Sequence, residues 1–160
     1  MTPGRAAALF ASRDDVALGA RVLEVVAKAQ AAHPATEAGS AGFIERLGSL
    51  CEGDPARLSR LACDDLWLAH AAASGCPRAV AAFEQEVFRP RVEAIARRYP
   101  DDPTVEDEAQ DLRLRLVADA EPRLLAYRGQ GTLAGWVSVS LARAVVKARR
   151  RRDRDDGRQP

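Results

Sequence analysis

Aromatic residues are scarce, with Phe, Trp and Tyr making only 5% of the chain. Strands draw heavily on aromatic and β-branched residues, whereas the apolar 47% here is mainly Ala and Leu, which lose little rotamer freedom in a helix. The composition therefore argues against a β fold. Cysteine is also sparse. Cys51, Cys63 and Cys76 are an odd number, which argues against a disulfide framework. Only two histidines are present, which leaves little for acid–base catalysis. No segment approaches the roughly 18 apolar residues of a membrane span, and the N-terminus has no long apolar run. No membrane contact is expected, and a cytoplasmic location is.

Charge of one sign is lacking as well. Lys+Arg 24 against Asp+Glu 23 leaves a net +1, so the total says nothing about nucleic acid. The distribution says more. Residues 101–121 hold eight acidic and two basic residues, whereas 123–152 hold eight basic residues and no acidic one. An acidic stretch followed by a basic one points to two surfaces with two different partners.

Apolar residues recur at helical spacing along the chain. Residues 1–32 carry such a pattern, and 33–42 (HPATEAGSAG) read as a loop or linker. Phe43, Ile44, Leu47 and Leu50 make a short amphipathic helix. Asp64 and Asp65 offer an N-cap to the run that holds Leu66, Trp67 and Leu68. A helix opens after Pro77, with a kink or restart expected at Pro90. Thr104 is the expected N-cap of a helix over 105–119 that buries Val105, Ala109, Leu112 and Leu116, with Leu114 open to either face. Thr132 caps a last long helix that runs into the arginines at 149–152. The reading is all-α. It has a helical N-terminal extension (1–62), a bundle of three or four helices (63–152) and a disordered charged tail (153–160).

Four pieces of this chain, in this order, resemble region 2 of the bacterial RNA polymerase sigma-70 family, in its extracytoplasmic-function type. They are LWLAHAAASGCPRAVAAFEQEVFRPRVEAIARRY, VEDEAQDLRLRL, LLAYRGQGTLAGW and WVSVSLARAVVKARRRR. They lie in order between residues 64 and 152, the first opening at Leu66. The upstream run FIERLGSLCEGDPARLSRLACDDLWLAHAAASG looks like the N-terminal extension of sigma-like proteins of myxobacteria. The resemblance implies a sigma region 2 bundle that binds core RNA polymerase and the promoter −10 element, with no cofactor and no enzymatic activity. The pattern is departed from at Cys76, Arg143 and Leu133, where the family commonly has Asp, Asn and an aromatic residue. A second domain of the family, region 4, which reads the −35 element, is not found before Pro160. This leaves an alternative, a regulatory module that binds polymerase or an anti-sigma factor without selecting promoters itself.

Three sites follow. At helical spacing Asp107, Gln110, Asp111 and Leu114 share one face. Taken alone, such a run is usually a solvated charged face. The resemblance implies that it docks on a coiled coil of the polymerase's largest subunit, by charge-assisted hydrogen bonds. In the loop 127–132 two glycines flank Gln130, Arg128 supplies charge and Tyr127 a stacking face. The bland reading is an interhelical turn. The resemblance implies a pocket for a base flipped out of the −10 strand. In the last helix Ser140, Arg143 and Lys147 form a stripe continued by Arg150, suited to phosphates. Trp136 belongs either to that DNA face or to the core. Cys63, His70 and Cys76 do not match zinc spacing, so no metal site is expected. A small helical enzyme or scaffold is the remote rival, and would need a polar pocket among the helices.

Overall fold

In the computed structural model, residues 1–157 apart from 12, 14 and 37 are described. Among them every regular element is helical and no strand occurs. The helices are α1 (Pro3–Ala11), α2 (Val16–Ala32), α3 (Ser40–Cys51), α4 (Cys63–Ala73), α5 (Pro77–Ala82), α6 (Arg89–Arg98), α7 (Pro103–Val117) and α8 (Leu133–Asp156). Short 3-10 turns at Pro55–Arg60 and Arg123–Ala126 lead into α4 and α8.

Helix α4 lies at the centre. Leu66, Trp67, Leu68, Ala69, Ala71 and Ala72 are all buried, so it is apolar nearly all round, as a helix enclosed on every side must be. It touches α2 on one side and α5, α7 and α8 on the other. Helices α7 and α8 bury single stripes. These are Val105, Ala109, Leu112 and Leu116 on α7, and Leu133, Val137, Leu141, Val145 and Ala148 on α8. Each fully buried Leu or Val contributes about 1.5–3 kcal/mol. One contiguous core runs from Phe10 and Val22 in the N-terminal helices to Leu141 and Val145 in α8. Helix α1 crosses α3 so closely that a Cβ at Gly48 would stand 2.1 Å from the Phe10 carbonyl oxygen.

Several local expectations are corrected. The N-cap of α7 is Asp102, not Thr104, which is buried in the first turn and gives its N–H to the Asp102 carboxylate. Pro103 takes the first helical position, where a missing N–H costs nothing. Asp64 and Asp65 do not cap α4. Its N-cap is Ala62, and Asp65 is occupied elsewhere. The expected break at Pro90 is spread over a π-helical stretch, Phe83–Phe88, that links α5 to α6 without interruption. Pro90 has no N–H to return to the preceding turn, and a wider turn upstream is one way a helix absorbs that loss. Ser40 opens α3, so the loop is shorter than the 33–42 expected, and Glu37 within it lies outside the described residues. Thr36 of that loop accepts a hydrogen bond from the Trp67 indole at 2.8 Å. Helix α8 continues to Asp156, into the segment expected to be disordered, of which 158–160 lie outside the described residues.

Candidate functional site

Helix α7 turns its apolar stripe to the core, which forces the opposite residues outward. Asp107, Gln110, Asp111 and Leu114 are all exposed. Leu114 is 51% exposed, although α7 buries every other leucine it has. Arg113, beside this row, is tied down by an ion pair to Glu84 of the π-helical stretch and a 3.4 Å contact with the Gln110 side-chain oxygen. Arg115 donates to the Asp111 carbonyl at 3.2 Å. Asp107 and Asp111 take part in no ion pair among the described residues.

The loop 127–132 is held from inside. The Ala62 N–H donates to the Gly129 carbonyl at 2.9 Å. Gly129 has φ +73, and a Cβ there would stand 2.5 Å from Leu66 Cδ1, so only glycine fits. Tyr127 does not offer a stacking face. It is 1% exposed, its ring lies 5.9 Å from that of Trp136, and its hydroxyl donates to the Gly131 carbonyl at 2.7 Å. Burial and the nearby Asp65 carboxylate push its phenol well above the ordinary range. Arg128 and Gln130 point the other way and are exposed.

On α8, Thr132 caps the first turn by accepting the Gly135 N–H at 3.0 Å, as expected. Asp65 accepts the Leu133 N–H at 2.7 Å, a second ligand for the same helix start. Trp136 is half-buried against the core. Ser140 is half-buried too, and its hydroxyl donates back to the Trp136 carbonyl at 2.9 Å, so it is not a free donor. Arg143, Lys147 and Arg150 are exposed, and Arg154 extends the row at the same helical spacing. Residues Arg143, Lys147, Arg150 and Arg154 line one shallow surface with Ala142 and Val146.

The rest of the arginine run is committed internally. Arg149 pairs with Asp102 and lies 4.4 Å over the Tyr99 ring. Arg152 reaches Asp102 and donates to Thr104 Oγ1 at 2.8 Å. Arg151 meets Glu108 at 3.5 Å. Hydrogen bonds from Thr104, and then the Arg149 and Arg152 cations, hold the Asp102 carboxyl below its usual pKa. A groove of ≈ 520 Å³ between α7 and α8 is lined by Asp111 and Leu114 on one wall and Lys147 and Arg151 on the other. The expected polymerase face and the expected DNA face therefore meet along one cleft.

Two residues that matter here give no signal in the sequence. Arg46 and Asp65 look like ordinary surface charges, and only the fold brings them to residues about 70–80 positions away. No group of three His, Cys, Asp or Glu able to hold a metal occurs among the described residues. Nor is any helix among them long and apolar enough to cross a membrane. Compared with protein-family models, curated proteins and solved structures, the chain matches none.

Proposed function

We propose that this chain is the region 2 portion of a sigma-70 type factor, a cytoplasmic binding protein that carries core RNA polymerase to the promoter −10 element. The observation that carries the reading is the solvent-facing row Asp107, Gln110, Asp111 and Leu114 on α7. Folding does not need it, because α7 already buries a complete apolar stripe on its other side. Two unpaired carboxylates beside an exposed leucine suit a basic partner helix, where the leucine anchors and the charges steer. The coiled coil of the polymerase's largest subunit is that partner. Arg143, Lys147 and Arg150 meet phosphates, and Arg128 and Gln130 address a base of the displaced strand. Tyr127 and Trp136 serve as the floor beneath that loop. Expected from Asp107→Arg with Asp111→Arg is loss of core polymerase in a pull-down, with helicity unchanged because both positions are exposed. Retained binding sinks the assignment.

A second reading has one observation in its favour. Arg149, Arg151 and Arg152 are drawn into ion pairs with Asp102 and Glu108, which leaves fewer cations for DNA. A module that occupies polymerase or an anti-sigma protein without selecting promoters needs no DNA face. In vitro transcription with core polymerase and a promoter library separates the two, since only the first reading yields specific transcripts.

A further inference from the structure

The N-terminal helices α1–α3 have no part in the proposed function so far, yet one of their side chains ends at the 127–132 loop. Arg46, half-buried on α3, carries its guanidinium to the turn before that loop. Its Nη2 donates to the Tyr127 carbonyl at 2.8 Å, with the Leu125 and Leu124 carbonyls at 3.3 and 3.4 Å. A single nitrogen has two hydrogens, so the Tyr127 bond is the principal one and the other two carbonyls share the second hydrogen. Leu124 and Leu125 belong to the 3-10 turn and Tyr127 caps it, its N–H already given to the Leu124 carbonyl at 3.2 Å, so the Tyr127 carbonyl is the first beyond the turn. A charged donor placed there fixes the turn in one geometry. Burial of the guanidinium lowers its pKa from the usual value, the mark of a cation taken partly out of water to reach these oxygens.

The tie is part of a pattern. The inner side of the loop is gripped by Arg46 at Tyr127, by Ala62 at Gly129 and by Asp65 at Leu133, all of which precede or open α4. The outer side leaves Arg128 and Gln130 exposed. A loop held from behind presents its outward groups without the entropy of ordering them at binding. We propose that Arg46 is a positioning residue, through which the N-terminal helices set the 127–132 loop for a single-stranded nucleic acid. The proposal rests on the nucleic-acid reading of that loop. The N-terminal helices are then part of the binding site, not an appendage to it.

The test uses the full chain and two readouts. Hydrogen exchange of peptides across 123–133 reports the loop directly. Affinity for a labelled single-stranded oligonucleotide, beside the same strand with abasic sites, reports whether bases are engaged. Arg46→Met keeps the length and removes the donors. It is expected to speed loop exchange roughly tenfold, and to weaken the base-containing strand roughly tenfold toward the abasic one, a difference set by about one hydrogen-bonded charge. Exchange in the middle of α8 and the salt slope stay as in the wild type. Where Arg46→Met fails to fold, Arg46→Lys, with an amine in place of the fork, carries the same comparison with a smaller loss. Unchanged loop exchange overturns the proposal alone. A loosened loop with unchanged affinity overturns it too, since Arg46 is then only a structural tie. A wild-type chain that binds neither strand removes the nucleic-acid reading, and the proposal with it.

Discussion

Gly129 shows how much a single position can decide. Its φ of +73 is a region that side chains other than glycine adopt at a cost, and the Leu66 methyl leaves no room for a Cβ. Gly129→Ala is expected to cost about 1–3 kcal/mol in a urea titration, because both the backbone strain and the clash with a core leucine must be relieved. A loss under a few tenths of a kcal/mol would contradict both the strain and the clash. The two glycines flanking Gln130 were visible in the sequence as a sharp turn. What was not visible is that Tyr127, the residue chosen to stack on a base, would be turned inward. Tyr is intermediate between core and surface by type, and only the neighbours Trp136 and Gly131 decided which.

At the scale of elements, the α3–α4 contact carries its own pH sensitivity. His70 of α4 sits 5.5 Å from the Phe43 ring and 6.3 Å from the Trp67 ring, with its Nδ1 buried and making no hydrogen bond. Burial, and then the Arg46 cation, lower its pKa below the ordinary value, while an interaction with the Gly39 backbone opposes them. The native state therefore resists protonation that the unfolded chain accepts. This contribution to stability is fully present above the unfolded value of about 6.5 and is lost as the pH falls below it, until the folded value is reached. Denaturation series from about pH 8 to about pH 5 should show a steeper acid loss for the wild type than for His70→Gln; parallel curves would contradict the assignment. The helices themselves were legible, because their apolar stripes repeat every three or four residues. Their caps were less so. Asp102, Thr104, Asp64 and Asp65 are all capping types, and which one serves depends on where the chain turns.

For the whole molecule, the decisive quantity is how many cations remain free. Arg143, Lys147, Arg150 and Arg154 form the open row, while Arg149, Arg151 and Arg152 are held by Asp102 and Glu108. Four phosphate contacts on a single strand correspond to a log K against log salt slope of about −3, and Arg143→Ala with Lys147→Ala should flatten it by about 1.4. A fluorescence-anisotropy titration over salt measures both, and an unchanged slope in the double variant would count against this face. The all-helical class, the outward row on α7 and the basic stripe on α8 were already written in the order of residue types. Each follows from local periodicity, which needs no knowledge of the fold. Which arginines are left open, that the two faces share one groove, and that Arg46 grips a loop 81 residues away came from the packing of the helices. Those outcomes depend on pairings between distant segments, and no local pattern of residue types carries them.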